Sequence, residues 1–160
     1  MQEATQPTTA VAPPREGSPT LPVLAWLRLM RVYHKIDRRT ATALRCFGLS
    51  VSRFDVLNHV GVREGRTQQE LADALLVTKG NIVQLLDGME ADGLLYRRRS
   101  GRTNRIYLTD PGRELRQQAL ATHEANIACH LATLSAEEQE TLLGLLRKLD
   151  RSLDEADPGQ

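Results

Sequence analysis

The chain has 160 residues, 41% of them hydrophobic, and its 21 basic and 20 acidic side chains leave a formal net charge of +1. This length suits one domain of ordinary size with an appended part at most, and near neutrality does not argue for or against a nucleic-acid partner. No apolar run approaches the ~20 residues of a membrane span, and two cysteines are too few for a disulfide framework. We therefore expect a cytoplasmic protein with no membrane partner.

The chain begins with a segment, residues 1–20, that is rich in proline, threonine, alanine and glutamine. It lacks the charged-then-apolar layout of a signal peptide, and we expect it to be disordered. A first helix is predicted over residues 21–47, because Pro22 suits a first helical turn and Gly48 is a natural stop.

A second helix is predicted over residues 53–62, and it is bounded by residues typical of helix ends. Ser50 or Ser52 offers a hydroxyl cap at its start. Gly65 is expected to end it, since glycine enters the left-handed conformation without steric cost.

A helix-turn-helix is predicted next. Thr67 and Glu70 form a capping box, in which a hydroxyl and a carboxylate satisfy each other's free backbone amides. The polar turn over residues 77–80 leads into a second helix over residues 78–92, which Gly93 ends. The apolar positions fall at helical spacing: Leu71, Ala74 and Leu75 in the first helix, and Ile82, Leu85, Leu86 and Met89 in the second.

Two short extended runs follow, residues 94–99 and 103–108, around the turn candidate Ser100-Gly101. Between residues 94 and 105 there are five arginines and no acid, namely Arg97, Arg98, Arg99, Arg102 and Arg105. One or two arginines in a hairpin often only protect a solvated strand edge. Five of them directly after a helix-turn-helix favour contact with phosphates. The order of elements therefore predicts a mainly α fold with a small β-hairpin wing, a winged helix-turn-helix that binds double-stranded DNA.

The remaining chain is predicted to be helical and to mediate dimerisation. Thr109-Asp110-Pro111 starts a long helix that reaches about residue 132, and Ser135 and Glu138 form another capping box. The last helix carries a coiled-coil-like seam, formed by Leu142, Leu146, Leu149 and Leu153 and widened by Leu143 and Leu145. Because a terminal helix cannot bury so broad a face against itself, it must pack on the first helix, on the long helix or on a second subunit. A homodimer is the most economical of these, since it would present two DNA-binding domains to a pseudo-palindromic operator.

Three sequence segments carry a resemblance to a known family. They are GLSVSRFDVL at 48–57, TQQELADALLVTKGNIVQLLDGMEADGLL at 67–95, and IYLTDPGREL at 106–115. With them, residues 24–153 resemble the MarR family of bacterial transcriptional regulators. The resemblance implies a triangular dimer, with residues 21–47 and 110–155 as the helical dimerisation region and residues 48–109 as the DNA-binding domain. It further implies a repressor that releases DNA when a small aromatic or anionic molecule binds.

The wing departs from the family pattern at one point. Family wings are usually longer and carry an acidic residue two positions before a tip arginine. Alignment backwards from Leu108-Thr109 places Arg102 at the arginine position and Ser100 where the acid would be. The cation is therefore kept, while the acid that helps to fix it is missing.

The DNA-reading residues can be assigned from these elements. The helix over residues 78–92 is expected to enter the major groove, where base edges carry a distinct pattern for each pair. Its reading candidates are Thr78, Lys79, Gly80, Asn81 and Gln84. Thr67 and Gln68 are expected to contact phosphate at a helix start. Arg102 is the candidate for the minor groove and Arg97, Arg99 and Arg105 for phosphates, whereas strand alternation places Arg98 on the other face.

An effector site is suggested by an apolar wall with polar tips. Its candidate residues are Trp26, Met30, Tyr33 and His34 on the first helix and His59 on the second. The alternative interpretation is that the apolar members are ordinary core or dimer packing.

Other classes of function receive less support. There is no phosphate-binding glycine loop and no Gly-x-Ser-x-Gly elbow, so an enzyme is not expected. The four histidines are scattered, so neither a metal nor a cofactor is expected. Cys46 and Cys129 leave a redox-sensing regulator open, although buried structural cysteine is the commoner fate. A winged helix that binds protein instead of DNA is the remaining alternative.

Overall fold

The computed structural model describes residues 19–156, so the expectation of a disordered tail lies almost wholly outside the described residues. The chain separates into two units, one up to Lys35 and one from Ile36 onward. The predicted mainly α fold with a small sheet is confirmed. Six α-helices are described, and their bounds are α1 Leu21–Leu44, α2 Val51–Val62, α3 Gln68–Ala74, α4 Lys79–Ala91, α5 Asp110–Leu131 and α6 Ala136–Ala156. A short 3-10 helix, Arg45–Phe47, completes the predicted first helix.

Helix starts follow the predicted side-chain caps. The Ser50 hydroxyl, one of the two serines considered, accepts a hydrogen bond from the Arg53 amide at 3.3 Å and caps α2. The Thr67–Glu70 capping box is complete at the start of α3. Both bonds of the Ser135–Glu138 box are also present, at 2.8 and 3.2 Å. These caps satisfy amides that have no partner within their own helix.

The wing is a three-stranded antiparallel sheet of β1 (Arg66–Thr67), β2 (Leu95–Ser100) and β3 (Thr103–Leu108). The strand order is β1-β3-β2, so β3 is central. Ser100 pairs with Thr103, and the turn therefore consists of Gly101 and Arg102 and lies one residue beyond the predicted Ser100-Gly101. The strand β1 was not predicted, because a two-residue strand carries no alternating pattern.

The hydrophobic core of the second unit lies between the winged-helix elements and the first half of α5. Its largest fully buried side chains come from α2, α3, α4 and the sheet, and include Phe54, Leu57, Leu71, Ile82, Leu86, Met89, Leu95, Ile106 and Leu108. The predicted apolar face of α3 is wrong at one position, since Ala74 is exposed and Ala72 is buried. The predicted Leu71 is buried and Leu75 packs against the core, so the difference is confined to the two alanines.

Gly112 makes the junction between the wing and α5 possible. The Thr109 amide donates to the Leu94 carbonyl at 3.1 Å, and the Thr109 hydroxyl donates to the Gly93 carbonyl at 2.6 Å. A Cβ atom on Gly112 would lie 1.9 Å from the Leu94 oxygen. Only glycine therefore allows the first turn of α5 to lie against the backbone that enters β2.

Helix α6 is exposed along residues 136–155, including its six leucines, whose exposed fractions run from 37% to 62%. Within residues 19–156, no helix is long and apolar enough to cross a membrane. The expectation of buried cysteines is wrong for this chain, because both Cys46 and Cys129 are exposed. Near Cys46 the buried position is Leu44, at the end of α1, and in the helix of Cys129, α5, the buried side chain is that of Ala119.

Candidate nucleic-acid interface

The first turns of α4 present polar side chains to solvent. Thr78 caps the helix, and its hydroxyl accepts from the Asn81 amide at 3.3 Å. Lys79, Asn81 and Gln84 are exposed, and no atom would lie within 4 Å of a Cβ on Gly80. Residues 79–86 contain no acid. This end of α4 can thus approach a polyanion and offer hydrogen bonds to base edges.

A shallow groove runs along α4 beside the start of α2. Ser52 and Arg53 line it on one side, and Asn81 and Gln84 line it on the other. Arg53 forms an ion pair with Asp92, the C-cap of α4. Ser52 was considered only as a helix cap, and Arg53 was not singled out, although the Ser50 cap places both in the first turn of a helix, where anions are favoured.

The start of α3 is held by its own cap. The Glu70 carboxylate accepts from the Thr67 amide at 2.6 Å, and this backbone hydrogen bond, followed by the one with the Thr67 side chain, lowers the pKa of Glu70 below its usual value. The predicted phosphate contacts Thr67 and Gln68 are both half-buried.

The wing arginines divide between the two faces of the hairpin. Arg97 pairs across the sheet with the buried Ile106, whereas Arg98 pairs with Arg105. Strand alternation therefore places Arg97 and Arg99 on one face and Arg98 and Arg105 on the other. The expectation that Arg98 alone lies on the other face is wrong, because Arg105 is its cross-strand partner. Arg105 donates to the Gly65 carbonyl at 2.7 Å.

Arg102 lies at the hairpin tip and is exposed. It follows Gly101, whose φ of 62° is the left-handed conformation that this tight turn requires. Among the described residues, no carboxylate forms an ion pair with Arg102. Its guanidinium is therefore available to an external anion.

The three acids in the second half of α4 and at its C-cap are all paired with arginine. Arg97 forms ion pairs with Asp87, at 2.6 Å, and with Glu90, and Arg53 pairs with Asp92. Bare carboxylates on a DNA-facing helix would repel phosphate. These pairs offset that negative charge within the protein.

The effector candidates lie in different units. Trp26 and Tyr33 are each 57% exposed, Met30 is half-buried, and the rings of Tyr33 and His34 meet edge to face with centroids 5.5 Å apart. His59 is half-buried on α2 in the second unit. In the stretch from 19 to 156, no three histidine, cysteine or acidic side chains cluster as a metal site.

Asp55 is a half-buried carboxyl on α2, one residue from the core. Burial raises its pKa, an effect opposed by His59 and His123 and reinforced by Asp37. The His123 ring also contacts Phe54, with centroids 4.8 Å apart. This cluster is a structural feature that sequence reasoning missed, since its members come from three helices.

A capped helix-turn-helix with an adjacent arginine-tipped hairpin defines a winged helix-turn-helix DNA-binding protein. Comparison with known proteins narrows this class. The MarR family model matches residues 47–106. An uncharacterised HTH-type transcriptional regulator of Bacillus cereus is 32% identical over 133 residues, which cover 82% of this chain and 90% of the relative. The chain belongs to the MarR family of transcriptional regulators.

Solved structures agree with this assignment. The MarR family protein Rv2887 of Mycobacterium tuberculosis, solved in complex with DNA, is 28% identical, with a TM-score of 0.66 over 82% of this chain and 98% of that chain. The same protein has been solved with salicylic acid. An organohalide-sensing regulator shares the fold, with a TM-score of 0.77 at 23% identity over 92% of this chain and 90% of its own. The prediction of a DNA-binding transcriptional regulator rather than an enzyme is confirmed.

Proposed function

We propose that this protein is a homodimeric repressor that reads a pseudo-palindromic operator and releases it on binding a small aromatic or anionic molecule. The observation that carries the DNA-reading part is that the start of α4 is exposed and free of acids, together with an exposed Arg102 at the hairpin tip that no carboxylate of the described residues pairs with. Thr78, Lys79, Asn81 and Gln84 would contact the major groove. Arg102 would enter the minor groove, with Arg99 and Arg105 near phosphates.

Salt dependence tests the wing assignment. Arg102→Ala should weaken binding to every duplex and lower the slope of log K against log salt by about one counterion, because a single phosphate-region cation is lost. Arg38→Ala, which removes an exposed arginine of α1 outside the winged helix, is the matched control and should leave the slope unchanged. Binding of the wild-type chain that is absent or insensitive to salt would instead favour the protein-interaction module.

Dimerisation is supported by the exposure of α6. The apolar side of a helix normally packs against another element, yet residues 136–155 are all exposed in the single chain. Leu146→Asp and Leu149→Asp place a charge on the seam of Leu142, Leu146, Leu149 and Leu153. Each should produce monomers and abolish tight operator binding, since a buried unpaired carboxylate is costly.

The control for the seam is Lys148→Asp, a charge change on the opposite side of α6. Sedimentation and operator titration should show a normal dimer for this variant. Dimers with full operator binding in both leucine variants would place the interface on another surface, such as α1.

Release by an effector is supported by a relative, since Rv2887 has been solved with salicylic acid. The exposed aromatic side chains of α1, Trp26 and Tyr33, are the candidate contacts within the first unit. The ligand must prefer the conformation that cannot bind DNA, because equal affinity for both states shifts nothing. Phenolic acids should quench the fluorescence of Trp26, the only tryptophan in the chain. DNA should be released over the same range of ligand concentration.

Tyr33→Ala and His34→Ala should both abolish this response while leaving DNA affinity unchanged. A different outcome is release by peroxide alone that requires Cys46 or Cys129. That outcome would replace the ligand mechanism with redox sensing. Both cysteines are exposed, so a peroxide can reach their thiols.

A further inference from the structure

Arg97 differs from the other wing arginines because its side chain is only 13% exposed. Its backbone amide and its Nη1 both donate to the Glu90 carboxylate, and its Nη2 donates to Asp87 at 2.6 Å. Sequence analysis assigned Arg97 to the phosphate contacts. The structure shows instead a guanidinium turned toward α4.

A third element joins this cluster through Gln68, the first residue of α3. With the amide oxygen oriented toward the guanidinium, Gln68 accepts from Nε at 3.0 Å and from Nη2 at 3.1 Å. A guanidinium has five N–H donors in a planar fork. Here Nε, Nη1 and Nη2 are all engaged within the protein, so little of the group is left for a phosphate.

The position of Arg97 gives these contacts a mechanical role. The strand β2 is an edge strand, paired only with β3. Asp87 and Glu90 lie one turn apart on α4, so that a single side chain on β2 reaches both. Arg97 thereby connects the wing strand β2 to α4 and to the start of α3.

We propose that Arg97 is a positioning residue that holds the wing at a fixed angle to α4, and that Asp87 and Glu90 promote DNA binding through it despite their negative charge. The inference rests on the proposed function, since it concerns the geometry of the same DNA interface. Two acidic side chains beside a polyanion would otherwise only weaken binding.

Neutralising the acids gives a test in which the two interpretations differ in sign. If Arg97 positions the wing, Asp87→Asn and Glu90→Gln should each weaken operator binding about threefold to tenfold, the lower range of coupling between contacting residues. If Arg97 is a phosphate contact, the same changes free its guanidinium and remove repulsion, so binding should tighten. Asp73→Asn is the matched control, because Asp73 is an exposed acid of α3 bonded to Gln69, and its loss should not weaken binding.

The salt slope supplies a second readout, because it separates a positioning role, which leaves the slope unchanged, from a phosphate contact, which lowers it. Arg97→Ala should lower operator affinity with an unchanged slope, and hydroxyl-radical protection at the flanks of the site, where the wing lies, should decrease. Combining Arg97→Ala with Asp87→Asn should cost little more than Arg97→Ala alone. The Asp87 side chain is 61% exposed, so Asp87→Asn is expected to fold. This variant keeps the test decisive even if Arg97→Ala fails to fold.

Tighter binding by the two acid variants, or a slope reduced by about one in Arg97→Ala, would overturn the inference while leaving DNA binding intact. A wild-type chain that binds no duplex would overturn the inference together with the proposed function.

Discussion

Replacing Gly112 with alanine should destabilise the protein, even though alanine is the better helix former. The new Cβ would meet the Leu94 carbonyl oxygen at 1.9 Å and its carbon at 2.9 Å. Both atoms are backbone, so no flexible side chain can move aside. Either α5 or the chain entering β2 must shift, and the bond from the Thr109 amide to the Leu94 carbonyl is then strained.

The size of the effect follows from three contributions to the free energy of unfolding. Overpacking a well-packed site costs about 1–3 kcal/mol, and weakening one backbone hydrogen bond costs about 1 kcal/mol. The gain in helix propensity from glycine to alanine is at most about 1 kcal/mol. We therefore expect a net loss of about 2 kcal/mol, or roughly 4–8 °C in Tm for a chain of this size.

Gly88→Ala is the matched control, because Gly88 is an exposed helical glycine of α4 with no atom within 4 Å of a Cβ. It should stabilise the protein by about 1 kcal/mol. Urea unfolding at one fixed protein concentration measures both variants, since the proposed dimerisation would make apparent stability depend on concentration. Equal midpoints for Gly112→Ala and Gly88→Ala would refute the packing argument.

Three further predictions concern base reading and pH. Asn81→Ala and Gln84→Ala should each cost about 1–3 kcal/mol on the cognate operator and much less on random duplex; equal losses on both would assign them to the phosphates. The pKa of Glu70 is lowered from 4.5 on folding. The ionised carboxylate therefore stabilises the fold above pH 4.5, and this stability is lost as pH falls through the folded pKa. In Glu70→Gln the free energy of unfolding should depend less on pH in that acid range. The pKa of Asp55 is raised from 3.8, so its contribution is present below that pH and lost as pH rises through the folded pKa. Asp55→Asn should therefore raise the midpoint of unfolding at pH 7 and leave it nearly unchanged at pH 3; a lower midpoint at pH 7 would show that the pairing with histidine outweighs burial.

Local signals in the sequence predicted much of this fold. A helix cap needs only residues three positions apart, so Thr67–Glu70, Ser135–Glu138 and Thr78 could be identified without tertiary information. Gly93 was predicted to end α4, and its φ of 69° is the left-handed conformation typical of such a helix end. Ile82, Leu86 and Met89 were identified as core residues from their helical spacing, which is also a local pattern, and all three are buried.

What could not be predicted depends on contacts between distant parts of the chain. The strand β1 exists because Arg66 and Thr67 find partners in β3, about forty residues later. The role of Arg97 depends on how closely β2 approaches α4, which no spacing of residues reveals. In the sequence it is one of five arginines, whereas in the structure it forms two internal ion pairs, with Asp87 and Glu90.

Thr67 serves two elements at once, as the last residue of β1 and as the cap of α3. A seven-residue helix is too short to persist alone in water, and a two-residue strand has little pairing of its own. Neither element can open while the other stays closed. Amide hydrogens at the start of α3 and along the β1 edge of β3 should therefore exchange with one common opening free energy, as a single cooperative unit. Lifting the hairpin away from β1 would disturb the same residue that caps α3, so Thr67 couples the wing to the helix-turn-helix at a second point besides Arg97.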